Sequence, residues 1–472
     1  MDEKTLIAGE GSSQSSFHGI AARLDRMPRS PFQRKVLWLL GGVTFADCCD
    51  MNVGGPIIAQ LLASGWSDSG LNAMFVSITM VGYFFGGLMA GALSDGIGRK
   101  KSVIICTTIF SIGCFAAASA PNMHLLTACR FLMGLGLGAA FPAAYSALTE
   151  YTPPYMRGKY QSWVGLIGNC GVFASSVLSL VCLPLVGWRP IFIVCGIMGA
   201  IIVILNAKFL DESPRWLASK GRLEEAERIM AKYETQAIKL GVELEPVSEE
   251  LIAQKATEHK VEQLSWGFLF SRKMITRTLT AMFLCFTMIT LVYTIQTWTP
   301  TIFVMRGFDV TYSTMMTVVM QLGIPVGAFL LSFYVEKVNR KTILIVTFVL
   351  CAIGGFLWSC IPSQEVIAIM ACGFLLEVVT ITNSVMISAI YLSEPFPTEC
   401  RIRGAGVANA FGRIAGILSP IWITALLNSQ FGATGVYTLN AVIAIFMAVW
   451  LWKFGIETRG RTLEEITKDL YE

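Results

Sequence analysis

Gly91-Ala-Leu-Ser-Asp95-Gly-Ile-Gly98-Arg99-Lys100 returns later in the chain as Ser332-Phe-Tyr-Val-Glu336-Lys-Val-Asn339-Arg340-Lys341: an acid, a short turn and a basic pair. A second motif repeats behind it. Glu150-Tyr-Thr-Pro-Pro-Tyr-Met-Arg157-Gly158 is answered by Glu394-Pro-Phe-Pro-Thr-Glu-Cys-Arg401. A loop that only has to be soluble does not keep one spacing twice, so the chain consists of two related halves. Acids and arginines at corresponding helix ends suit a gate of charge pairs that latch neighbouring helices. Its members are Asp95, Arg99, Glu150 and Arg157 in one half, and Glu336, Arg340, Glu394 and Arg401 in the other. Plain anchoring of the loops is the competing reading of the Glu150–Arg157 and Glu394–Arg401 pairs.

Between these motifs the sequence is apolar over lengths that matter. Runs fall at about 36–62, 72–94, 102–120, 124–146, 160–183 and 189–210, then at about 275–304, 313–335, 341–361, 365–392, 405–428 and 434–455; each is near the ~20 residues that cross a hydrocarbon core. Only 14% of the 472 residues are charged and 54% are hydrophobic, with mean hydropathy +0.61. A water-soluble surface needs roughly 25% charge, so most of the outside faces lipid. The fold expected is an all-α membrane protein of twelve transmembrane helices in two six-helix halves. Its parts are a tail 1–35, a half 36–210, a polar central segment 211–273, a half 274–455 and a tail 456–472. The central segment, with Glu224, Glu225, Glu227, Arg228, Glu249 and Glu250 around periodic apolar residues, reads as short amphipathic helices on the membrane surface.

Orientation follows from where the basic residues lie. Arg99, Lys100 and Lys101, Arg157 and Lys159, Arg340 and Lys341, and Arg401 and Arg403 all follow even-numbered spans. The opposite loops hold little beyond Arg189 and Arg306. Both termini are therefore expected in the cytoplasm of a multi-pass protein in the cell inner (plasma) membrane. The first 35 residues are mostly polar, Gly11 to Ser16 reads as a flexible tail, and no cleaved signal peptide is expected.

Several function classes are disfavoured. Most of the thirteen cysteines, including Cys106, Cys114, Cys195, Cys285 and Cys351, lie inside apolar runs as small hydrophobes rather than in a disulfide framework. Three scattered histidines make no metal site, and a net charge of +4 is weak support for a nucleic-acid partner. No nucleophile–base pair or phosphate-binding loop points to an enzyme. No cofactor is expected. The expected partners are a small-molecule substrate, protons and the lipid bilayer, with the monomer as working unit.

The motifs together resemble the major facilitator superfamily from end to end. Asp95-Gly-Ile-Gly98-Arg99-Lys100-Lys101 fits its signature between spans 2 and 3, although Gly96 replaces the usual basic residue. Asp211-Glu-Ser-Pro-Arg-Trp-Leu217 and Glu457-Thr-Arg-Gly460 narrow the resemblance to the sugar-transporter family. Arg130-Phe-Leu-Met-Gly-Leu-Gly-Leu-Gly138 and Arg403-Gly-Ala-Gly-Val-Ala-Asn-Ala-Phe-Gly-Arg413 are similar to bacterial inner-membrane metabolite transport proteins of the metabolite:proton symporter type.

Charges inside apolar runs are the functional candidates. Asp47 and Asp50 lie in span 1, Arg130 in span 4, Glu377 in span 10 and Arg413 in span 11. Each costs about 2.5–3.5 kcal/mol at a helix centre, so its presence needs a reason. Asp47 and Asp50 are three apart and share one helix face, about 60° from each other. The resemblance implies that an aspartate of span 1 meets an arginine of span 4, which are Asp50 and Arg130 here. Protonation would break that pair and bias the conformational equilibrium; a static pair that only fixes packing is the alternative. Glu377 reads as a packing residue bonded to Thr380 or Thr382.

The resemblance also bears on substrate. The amides and tryptophan that bind hexoses in relatives are replaced here by Val172, Thr287, Met288 and Ala389. Arg413 matches an arginine of organic-anion relatives, and a guanidinium fork suits bidentate contact with a carboxylate; the alternative is a structural arginine. Further candidates for the substrate cavity are Asn409, one turn from Arg413, Asn169 in span 5, Tyr293, Gln296 and Trp298 in span 7, and Asn383 and Tyr391 in span 10. The reading reached is a secondary active transporter that imports a small organic solute, a sugar acid or aromatic acid, by proton symport with alternating access. A neutral sugar or polyol transporter is the runner-up. A transporter-like nutrient sensor is disfavoured by the short tails. Cysteine-accessibility labelling is expected to place residues 211–273 and both tails inside and 305–312 outside; labelling of the central segment from outside would reverse the orientation.

Overall fold

The computed structural model describes residues 19–28, 30–239, 244, 266–334, 337–397 and 400–458. Among them there is no strand, and twelve helices are long and apolar enough to cross a membrane. Spans 1 to 6 are Pro31–Ala63, Ser69–Ile97, Arg99–Ala118, Met123–Tyr151, Tyr155–Val186 and Arg189–Phe209; spans 7 to 12 are Ile275–Met305, Val310–Leu331, Arg340–Cys360, Val366–Ser388, Arg403–Leu427 and Gly432–Phe454. All twelve expected runs are present as helices. Their outer faces carry large apolar side chains in the open, such as Ile367 at 80% and Leu185 at 76% exposure, which suits a lipid surround and not water.

Helices form here because a backbone group in hydrocarbon must find its partner within the chain. The first turns, which lack such partners, are capped by side chains at the loop ends. Asp68 accepts from Leu71 N at 2.8 Å, Asn122 from Leu125 N at 2.9 Å and Asp309 from Thr311 N at 2.9 Å. Two expected helices are not uniform. Span 8 is interrupted at Leu322, between Val310–Gln321 and Gly323–Tyr334, and span 10 ends in a π turn over Met386–Ile390 and a 3-10 turn over Tyr391–Ser393. Apolar length reveals a crossing but not such local changes of winding.

Backbone contact fixes the frame within each half. A Cβ on Gly86 would lie 2.4 Å from the Leu135 carbonyl oxygen, one on Gly134 2.4 Å from that of Thr79, and one on Gly138 2.6 Å from Tyr83 Cα. Small residues therefore seat span 2 directly on span 4. The other half uses the same device: Cβ atoms on Gly323 and Gly327 would each come within 2.5 Å of carbonyl oxygens of span 10.

The halves meet at the end remote from the described tails. There Ser77 Oγ donates to Ile417 O at 2.8 Å and Thr424 Oγ1 to Ser69 O at 3.5 Å. Ser176 is hydrogen-bonded to Gln321, and Gly55 sits so close to span 7 that its Cβ would be 2.5 Å from Thr297 O.

In the central segment, Pro214–Ser219 and Leu223–Ile238 are the expected short helices, the second burying Ala226, Met230, Tyr233 and Ala237 on one face. Glu249 and Glu250 fall outside the described residues. A feature absent from the sequence reading is the docking of residues 19–27 on this helix. Ile20, Leu24 and Met27 are buried, and Arg23 and Arg26 reach Glu234 at 2.7 and 2.8 Å. Burial opposes the charge of Glu234, but the two guanidiniums hold its carboxyl below the ordinary range.

Gly138→Leu should lose the span 2–span 4 contact and about 1–3 kcal/mol or more of stability, read as a lowered detergent melting temperature. Gly158→Ala, where a Cβ meets nothing within 4 Å, should leave that temperature unchanged.

Candidate functional site

Span 1 delivers its two carboxylates to different partners. Asp50 is fully buried and receives Arg130 Nη1 at 2.8 and 2.9 Å on its two oxygens. Arg130, 3% exposed, also donates from Nε to Thr79 Oγ1 at 3.3 Å and lies 5.0 Å from the centre of the Phe75 ring. Asp47, one turn toward the tails, accepts from Tyr83 OH at 2.9 Å. Thr79 and Tyr83 are four apart on span 2, so one helix face serves both aspartates. Neither Thr79 nor Tyr83 was singled out in the sequence, where a tyrosine in an apolar run reads as packing.

Arg413 of span 11 stands across the division between halves, with Cζ 5.7 Å from the centre of the Tyr83 ring, a cation–π contact. Its charge is felt by Asp47 and by Tyr293. The Tyr293 hydroxyl reaches Met51 Sδ at 3.6 Å. Beside these groups a small cavity opens between the halves, lined among others by Met51, Phe75, Thr79, Met80, Arg130 and Tyr293. The two aspartates, Arg130, Arg413 and Tyr293 thus come together.

Other candidates separate. Asn169 and Gln296 are half-buried. Asn409 is exposed, its amide donating to Ala405 O at 3.0 Å. Trp298 is 1% exposed and packed in the core. Asn383 donates to Thr347 Oγ1 at 2.8 Å. Tyr391 OH donates to Ile456 O at 2.8 Å and its side chain lines a second small cavity with Arg277 and Phe454. Glu377 is hydrogen-bonded to Gln296 of span 7. Thr380 instead meets Cys351 Sγ at 3.6 Å, and Thr382 donates to backbone carbonyls of Gly327 and Val378.

The gate residues form two latches of one design. Glu150 accepts from Arg99 at 2.6 Å and from Ser213 Oγ at 2.6 Å, and Asp95 pairs with Arg99 at 2.7 Å. Glu394 is paired with Arg340 and accepts from Thr458 Oγ1 at 2.5 Å. Glu150 thus reaches Arg99 of the adjacent helix and Ser213 of the segment after span 6. Glu336 lies outside the described residues, and the side chain of Arg401 is likewise not described. Two carboxylates outside the expected set complete the latches. Glu212 Oε1 accepts Arg99 N at 2.8 Å and Lys100 N at 3.0 Å, and Glu457 accepts Arg340 N at 3.0 Å and Lys341 N at 3.1 Å. Each caps and charge-compensates a helix N-terminus. Gly98 permits this with φ +104°, and a Cβ there would lie 2.3 Å from Glu212.

This arrangement matches a known family: residues 54–470 fit the family model described as "Sugar (and other) transporter". The chain belongs to that family. It is 34% identical over 450 residues to the inner membrane metabolite transport protein YdjE of Escherichia coli K12, covering 95% of this chain and 98% of that one. It is 29% identical over 447 residues to the niacin transporter NiaP of Acinetobacter baylyi, covering 95% and 99%. Its fold is similar to that of the E. coli xylose transporter XylE in a partially occluded inward-open conformation, with TM-score 0.74, 19% identity and coverage of 92% and 100%. The protein is a membrane transporter of the major facilitator fold and not an enzyme. Among the described residues, no group of three or more His, Cys, Asp and Glu side chains is placed to hold a metal ion.

Removing Arg130 leaves Asp50 buried without its cation and also takes away the bond to Thr79 and the contact with the Phe75 ring, whereas Asp50→Asn strands the guanidinium but keeps both of those contacts. Arg130→Ala should therefore cost about 3–5 kcal/mol and lower the melting temperature well beyond Asp50→Asn; equal losses would show that the pair does not bear on stability as described.

Proposed function

We propose that the protein imports a small organic carboxylate, an aromatic acid or a sugar acid, by proton symport with alternating access. The observation that carries this reading is Arg413, a cation of the C-terminal half set over Tyr83, whose hydroxyl holds Asp47 of the N-terminal half. A planar guanidinium beside a cavity between the halves suits bidentate capture of a carboxylate. Asp50 and Arg130 supply the proton-coupled element, because a proton on Asp50 cancels its attraction for Arg130 and loosens span 1 from span 4. Niacin is itself a pyridine carboxylate, so the resemblance to a niacin transporter supports the same substrate class.

The basic residues behind spans 2 and 8 lie at the end of the bundle that also carries the central segment and the described tails. By the positive-inside rule that end faces the cytoplasm. The contacts between halves at the other end, with each latch paired within its own half, support alternating access in which the two halves move as units.

The test is binding and uptake in proteoliposomes, with and without an imposed pH gradient, using nicotinate and 4-hydroxybenzoate beside their uncharged amides. Arg413→Lys keeps the charge but loses the fork, so acid affinity should fall by about 1.5–3 kcal/mol, roughly tenfold or more. Arg413→Gln should weaken the acids further and leave the amides nearly unaffected. Equal losses for acid and amide would remove the carboxylate reading. Asp50→Asn should abolish gradient-driven accumulation yet leave exchange measurable.

A further inference from the structure

Tyr83 touches both Arg413 of the proposed anion site and Asp47 of span 1. Its hydroxyl bonds Asp47 at 2.9 Å and its ring carries Arg413 at 5.7 Å. Its backbone is held against span 4 at Gly138, so neither end of the side chain is free to follow its partner by moving the helix. One turn away on the same helix, Thr79 bonds Arg130. Span 2 thus makes two contacts, one directly on Asp47 and one on the arginine that pairs with Asp50.

We propose that Tyr83 is the positioning residue that couples the two halves, so that an organic carboxylate taken up by Arg413 is sensed at Asp47. This rests on the carboxylate reading of Arg413. Arg413 faces the Tyr83 ring, and the hydroxyl of that ring fixes the Asp47 carboxylate toward span 2. A substrate carboxylate on the guanidinium satisfies its charge and withdraws it from the ring. The phenol then loses the cation that seats it, and the hold on Asp47 loosens. By reciprocity, any change at Asp47 must alter the affinity of the anion at Arg413.

The other charged and titratable groups about Asp47 are Asp50 and Cys48 on span 1, Tyr145 on span 4 and Tyr293 on span 7. None of these is seen both to bond Asp47 and to touch Arg413, so they set the local field without making the link.

A double-mutant cycle on the full-length protein in detergent tests the link, with nicotinate and nicotinamide as probes. Tyr83→Phe keeps the ring and deletes only the hydroxyl. It should change nicotinate affinity by about threefold or more when Asp47 is present, and by much less in the Asp47→Asn background, as expected of contacting residues. Nicotinamide affinity should not move in either background. Asp47→Ser serves as a second background should Asp47→Asn not yield folded protein. Equal effects of Tyr83→Phe in both backgrounds, no effect in either, or equal effects on acid and amide would each overturn the coupling role. Failure of nicotinate to bind the wild type while Arg413→Gln binds nicotinamide as well as wild type would refute the carboxylate reading itself, and this inference with it.

Discussion

A guanidinium and a carboxylate sealed together inside a lipid-facing bundle set the conditions for everything else. Asp50 and Arg130 are both almost completely buried, where taking either charge out of water is costly and only close mutual contact offsets it. The bidentate geometry, the Thr79 hydroxyl on Nε and the Phe75 ring over the guanidinium together provide that contact. Spans 1, 2 and 4 must be held in fixed register for these groups to coincide. The glycines at which spans 2 and 4 touch backbone to backbone are what hold it. A buried pair of this kind is weak as a source of stability, and in the proposed symport its use is that a single proton can undo it.

The two latches show the same economy of means at the end of the bundle. In each, an acid at the end of a fourth or tenth span grips the arginine that begins its neighbour, while a second acid covers the first two amides of that neighbour. Because the cap comes from the segment after span 6 in one half and after span 12 in the other, connector and tail are structural parts of the halves they follow. Each latch pairs groups of one half, so the latches hold each half together and leave the joining of halves to other contacts.

Much of this was legible in the sequence, for a physical reason. Membrane length and charge in hydrocarbon are severe constraints, and they stand out against twelve apolar runs; this is why the spans, Asp50, Arg130, Asp47 and Arg413 could be picked out directly. What lay beyond reach depends on which helix faces which. Glu150 reaches Arg99, which only folding brings near. Tyr83 looks like any aromatic in a span until Asp47 and Arg413 are seen on either end of it. Asn383 and Tyr391 have the chemistry of cavity residues, and only the folded chain shows the neighbours on which each also spends a polar atom. Glu212 and Glu457 sat within motifs that identified the family, while their work as helix caps emerges only from the distances to the amides of spans 3 and 9.

The capping acids bear on what the repeating unit of this chain is. Glu212 is followed by Ser213 and Glu457 by Thr458, and in each pair the acid covers a helix start while the hydroxyl bonds the acid of the latch. The same dipeptide chemistry therefore closes both halves in the same way. The repeating unit is thus six spans together with the acid–hydroxyl couple that follows them, whatever the chain does beyond that couple.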